Sequence, residues 1–196
     1  MSSSRDLEFL YEIGSLRNVP RGWRQHLATD CASDLEHSYR VMWLALTLAR
    51  REKQGDENKI LKMAFAHDIA ETRTSDLSYV QKVYVKADEE ASARDLFAGT
   101  ILQDYVSVIE EYEKRECIEA KIVKDADNLD IDLELKELEE RGHKLPEKWK
   151  ELRKFVRDNK LYTESAKNMW DEIQISDPSS WHMTANKWLK IPSAGK

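Results

Sequence analysis

The chain has 196 residues, 41% of them hydrophobic and 35% charged, with a formal net charge of −6. That length supports one domain with a sizeable core and no covalent staples, and the acidic balance argues against binding a nucleic acid polymer, which needs a basic surface. The longest apolar stretch, VMWLALTLA after Arg40, is too short to cross a bilayer, so no membrane partner is expected.

With only 6 Gly and 4 Pro and few alternating patterns, the chain reads as all-α. A first helix is predicted from about Ser4 to Ile13, stopping near Gly14, and the stretch Arg17–Trp23 is a loop punctuated by Pro20 and Gly22. Ser33 and Glu36 have the spacing of a capping box, which starts a helix that runs to about Lys53. A third helix is expected from about Glu57 to Thr72, then helices over about Asp88–Gln103 and Asp104–Glu113.

The next helix, about Glu116 to Arg141 with Gly142 as its stop, is apolar on two faces. Ile118, Ile122, Leu129 and Leu133 form one stripe; Ala120, Val123, Asp127, Ile131 and Leu138 form the other. Such a helix is central and buried. Pro146 suits the first turn of a helix near Glu147–Asp158, and shorter segments near Ser165–Ile173 and Pro178–Leu189 precede a loose tail, Lys190–Lys196. Trp149, Trp170, Trp181 and Trp188 crowd this last region, as anchors for its own packing or for a partner subunit. Met-Ser-Ser-Ser at the N-terminus lacks the pattern of a secretory signal, and Cys31 and Cys117 read as reduced thiols, so a cytoplasmic location is expected.

Four residues on three of these helices carry the chemistry. His37 shares a face with Val41, Leu44, Ala45 and Leu48, and so points inward. His67 shares one with Ile60, Met63, Ala64 and Glu71, Asp68 lies one step round, and Asp127 interrupts an apolar stripe. One inward histidine is ordinarily a hydrogen-bonded core residue, but a buried carboxylate needs compensation. A single dication would satisfy all four groups and leave coordination positions open. Glu71, one turn beyond His67, is placed either to orient or deprotonate a water at the metal or to hydrogen-bond a histidine. Asp76 reads as a cap of the following turn or as a proton donor. His26, His143 and His182 read as ordinary surface residues.

The motifs DLEHSYR, FAHDIAE and VKDADNL, in that order, resemble the HD superfamily of metal-dependent phosphohydrolases, and within it the small 5′-deoxynucleotidases and their HD-domain-containing relatives. The likeness runs from NVPRGW through the helix bearing Asp127, which makes 1–142 the family-like core and 143–196 a helical extension of one domain, 1–196. It implies an HD-domain helical bundle with a metal site between helices. His37, His67, Asp68 and Asp127 would be the ligands of one divalent ion (Mn, Co, Mg, Fe, Ni or Zn), Glu71 the water-activating carboxylate and Asp76 the acid for the leaving oxygen. Arg21 would contact phosphate and Trp23 would pack on sugar or base. The implied activity is a 5′-nucleotidase acting on (deoxy)nucleoside 5′-monophosphates, and the implied assembly is a homodimer. No histidine lies between His67 and Asp127, which favours one metal over the binuclear arrangement of related phosphodiesterases. Ser75-Asp76-Leu77-Ser78 and the Gly22 between Arg21 and Trp23 depart from the usual pattern on the substrate side. Alternatives are a nucleoside di- or triphosphate phosphohydrolase, or a non-catalytic metal-binding regulatory HD domain; Glu71 and Asp76 argue for turnover, since a structural metal needs only its ligands.

Overall fold

The computed structural model describes residues 4–184, and among them secondary structure is helical except for one isolated bridge between Pro20 and Ser33. The helices are α1 (Arg5–Gly14), α2 (Arg24–Leu27), α3 (Asp34–Glu52), α4 (Glu57–Ala66), α5 (Glu71–Thr74) and α6 (Glu89–Phe97), followed by α7 (Tyr105–Lys114), α8 (Ile118–Glu140), α9 (Leu145–Lys160), α10 (Glu164–Ile175) and α11 (Ser180–Thr184). The all-α expectation holds.

Local chemistry accounts for most boundaries. The Ser33 side chain accepts from Glu36 N–H while the Glu36 carboxylate accepts from Ser33 N–H, so the capping box that starts α3 is complete. Pro146 sits in the first turn of α9. Two expected helices are interrupted. The segment expected over Glu57–Thr72 breaks after Ala66, and the one over Asp88–Gln103 stops at Phe97, where Gly99 turns the chain with φ +72°. The short α2 lies inside a region read as loop, and of the expected Pro178–Leu189 segment α11 covers Ser180–Thr184. Trp188 and Lys190–Lys196 lie outside the described residues.

Helix α8 runs through the middle, packed by α3, α4, α7, α9 and α10. Ala120, Ile122, Val123, Ala126 and Leu129 are fully buried on it, as its two apolar stripes require. Met169, Trp170 and Ile173 from α10 join the same core, and Trp149 is half-buried against Leu27, Leu135 and Leu138. Two of the four C-terminal tryptophans therefore pack within the chain, while Trp181 is exposed. A second core, with Phe9, Ile69, Leu96, Phe97 and Ile109, ties α1 to α6 and α7. No described helix is long and apolar enough to cross a membrane.

Candidate metal centre

The interruption after Ala66 builds the site. From Ala66 to Thr72 the chain turns through i→i−3 bonds, Ile69 N–H to Ala66 O at 3.2 Å and Glu71 N–H to Asp68 O at 2.9 Å. His67 and Asp68 sit in this turn, and both side chains reach inward: His67 Nε2 is 3.1 Å from Asp68 Oδ2. His37, from the first turns of α3, brings its Nε2 to 3.3 Å from His67 Nε2, from Asp68 Oδ2 and from Asp127 Oδ1. One donor atom from each of the four residues lies within 4.8 Å of every other, so the structure gathers the whole sequence-derived set.

The remaining ring nitrogens show what the cluster is for. His67 Nδ1 is 2.8 Å from Ala64 O, and a carbonyl can only accept, so Nδ1 carries the proton and Nε2 offers a lone pair. His37 Nδ1 is 2.6 Å from Asp130 Oδ2, on a carboxylate itself ion-paired to Arg40. Outer hydrogen bonds of this kind orient histidines that ligate metals. Four of the six donor pairs are 3.1–3.3 Å apart, the spacing of N and O ligands that share a divalent ion at about 2 Å. The residues fit a divalent ion. Burial and Arg21 oppose a charged His37 ring, yet the hydrogen bonds it donates to Asp127, Asp130 and Asp68 hold its pKa well above the usual histidine range. Burial pushes Asp127 up, but Lys124 and His37 hold its carboxyl well below the usual range.

Around these four stands a ring the sequence reading assigned only in part. Arg21 is 6% exposed, which excludes a solvated surface charge. Its Nη1 lies 2.8 Å from Asp34 Oδ1, 3.2 Å from Asp76 Oδ2 and 3.6 Å from Asp68 Oδ2, while its Nε–H is buried without a partner. Asp76 Oδ2 also accepts Gly22 N–H at 2.9 Å. Glu71 is buried, its Oε2 has no hydrogen-bond partner, and burial together with Asp68, Asp34 and Asp76 pushes it up to about 11. Lys124 Nζ holds Asp127 Oδ2 at 2.6 Å, which leaves Oδ1 facing His37. A polar cavity of about 140 Å³ is walled by Arg21, Asp68, Glu71, Asp76, Lys124 and Asp127. Trp23 stands outside it, half-buried, with Arg21 Cζ 5.1 Å from its ring centre.

Sequence reasoning missed Asp34, Lys124 and Asp130. All three sit three residues from a ligand, on the same helix and face: Asp34 before His37, Lys124 before Asp127, Asp130 after it. That spacing was the available signal. The other histidines are less plain than expected, for His26 packs on Tyr79 with rings 5.3 Å apart and His143 Nε2 lies 2.9 Å from Leu27 O. His182 is exposed, and none of the three joins the metal set.

A family model described as HD domain matches residues 13–170. The chain belongs to the HD-domain family. Its sequence relatives include a zebrafish (Danio rerio) protein named 5′-deoxynucleotidase HDDC2, 30% identical over 142 residues that cover 68% of this chain and 70% of that one. The baker's yeast (Saccharomyces cerevisiae) 5′-deoxynucleotidase YGK1 is 26% identical over 192 residues, 87% of this chain and 82% of its own. Among solved structures, a conserved hypothetical protein from Pyrococcus furiosus superposes with a TM-score of 0.74 at 27% identity, over 86% of this HD-domain chain and 98% of its own. The resemblance drawn from the three motifs is thereby borne out.

Proposed function

We propose that this HD-domain protein is a one-domain, metal-dependent phosphomonoesterase that releases phosphate from (deoxy)nucleoside 5′-monophosphates. The observation that carries the reading is a buried Glu71 with an unpartnered Oε2, beside two histidines whose Nε2 atoms converge with Asp68 and Asp127. Relatives named 5′-deoxynucleotidase support the substrate class. His37, His67, Asp68 and Asp127 hold one divalent ion, which when bound supplies positive charge to polarise the phosphate and ease ionisation of a water. Burial first, and then Asp68, Asp34 and Asp76, raise Glu71, and positive charge held by the four ligands would oppose that rise. Ionised, Glu71 draws the proton from the attacking water through its free Oε2. Arg21, fixed through Nη1 by its carboxylate neighbours, has its Nε and Nη2 donors uncommitted among the described residues and turns them to a phosphate oxygen. Asp76, held by Gly22 N–H, faces the same cavity and returns a proton to the leaving 5′-oxygen.

The assembly we propose is a homodimer covering Tyr39 and Trp43, one turn apart on α3 and 62% and 59% exposed. The free thiols of Cys31 and Cys117 support a cytoplasmic setting. Phosphate release from nucleoside mono-, di- and triphosphates, each with Mn²⁺, Co²⁺ and Mg²⁺, tests the activity. Turnover confined to monophosphates is expected. Turnover confined to di- or triphosphates assigns the alternative chemistry, and none at all assigns a regulatory domain.

A further inference from the structure

The polar cavity is not closed. Arg21, Asp76, Lys82, Lys124 and Asp127 line it and also line the inner end of a second cleft of about 370 Å³. Away from the metal ligands that cleft changes character: Trp23, Tyr79, Ile131, Trp149, Leu152 and Val156 form its walls. Three of these, Trp149, Leu152 and Val156, come from α9, beyond the motifs that mark the family. Behind the wall His26 braces two of the aromatics, with ring centres 5.3 Å from Tyr79 and 6.5 Å from Trp149. Arg21 and Lys124 are both taken up by carboxylates, whereas Lys82, at the junction of the two spaces, forms no ion pair among the described residues.

The chemistry therefore divides along the length of one continuous space. The inner end offers metal ligands, Glu71 and cations, which suit a phosphate. The outer end offers flat aromatic faces and aliphatic side chains, which suit a planar apolar body, in a volume within the range of small-molecule sites. A phosphomonoester lying across the junction puts its phosphate inward, its bridging oxygen near Asp76 and Lys82, and its leaving group between Trp23, Tyr79 and Trp149. Resting on the nucleotidase reading above, we propose that Trp149 is a substrate-binding residue and that α9 supplies the wall of an aromatic slot for the nucleobase. Recognition there is by stacking, which every base can satisfy, so the slot selects for the presence of a base over its identity.

The test compares deoxyadenosine 5′-monophosphate and deoxycytidine 5′-monophosphate with 2-deoxyribose 5-phosphate, which has the same ester and no base, using the full chain loaded with Mn²⁺. In Trp149→Ala, the KM of each nucleotide relative to that of the sugar phosphate should rise about tenfold, the scale of one lost stack, while Trp149→Phe restores the ratio. Leu152→Trp, which fills the slot without removing a core contact, should raise the same ratio. A ratio unchanged in Trp149→Ala and in Leu152→Trp overturns the slot, as does an equal rise for all three substrates, which would mark Trp149 as merely structural. Calorimetric titration with deoxyadenosine does not depend on turnover: binding to the parent chain that Trp149→Ala loses supports the slot even where no monophosphate is hydrolysed, and absence of binding to the parent chain counts against it.

Discussion

Asp125 on α8 and Glu71 at the start of α5 are both withdrawn from water, 0% and 7% exposed. Around Asp125 the chain arranges three donors, Tyr162 N–H, Thr163 N–H and the Thr163 hydroxyl, each at 2.8 Å. Burial still pushes Asp125 up to about 6, but the donors limit the rise. Glu71 has no such donors and stands among Asp68, Asp34 and Asp76; burial and these neighbours push it up to about 11. One buried acid joins α8 to the turn that starts α10, and the fold has met its needs. The other is left with its needs unmet, and a cation with a water can meet them. Unfavourable electrostatics in the empty protein thus become favourable in the loaded one.

The comparison can be broken most severely at the ligands. His67→Ala or Asp68→Ala should lose bound metal and turnover together, measured by elemental analysis and phosphate release; metal retained with turnover lost would give those residues another role. Glu71→Gln should keep the metal while turnover falls about 10²-fold or more, the scale of a lost general base. The same change removes the strained carboxyl, so the metal-free variant should melt about 2–4 °C higher than the parent, corresponding to ~1 kcal/mol in a chain of this size. Asp125→Ala should do the opposite, costing about 1–3 kcal/mol by stranding two buried donors on Thr163 and the half-buried Tyr162 N–H, and kcat should stay within about twofold because the change lies outside the site.

The same comparison carries a pH dependence. Folding raises Asp34 from 3.8 to about 6 and Glu71 from 4.5 to about 11. A carboxyl whose folded pKa is raised binds its proton more tightly when folded, so stability falls as pH rises above the unfolded value. Raised His37 and His67 act in the same direction above pH 6.5. Metal-free protein should therefore melt lower at pH 8 than at pH 5, and saturating Mn²⁺ should flatten or reverse that slope. A metal-free melting point that climbs over the same interval would contradict the assignment of these shifts.

What the sequence shows and hides follows from how local each cause is. The capping box of α3 and the two apolar faces of α8 depend on residues within a few positions of one another, and both were legible. The four clustered residues were legible because His37, His67 and Asp127 are polar on otherwise apolar faces and Asp68 adjoins one. The break at Ala66 was not: apolar spacing continues through it, and only hydrogen bonding reveals that the turn has changed. Arg21 was ambiguous for a longer-range reason. Three acids from α3, the His67 turn and the residue 76 loop bury it, and no spacing along the chain reports that meeting. The C-terminal tryptophans looked alike in sequence, yet Trp170 is core, Trp149 faces the cleft and Trp181 is exposed.

Gly22 carries a mechanical consequence. A Cβ there would sit 2.6 Å from Ser78 N and 2.8 Å from Asp76 O, so two loops meet backbone to backbone with no side chain between them. Gly22 N–H also holds Asp76, and Arg21 holds it from the neighbouring position. The loop that presents the guanidinium and the loop that presents the acid are thus riveted into one jaw of fixed gape. A methyl group at this position would act as a shim, moving the two loops apart by a few tenths of an ångström or more and prising Arg21 from Asp76.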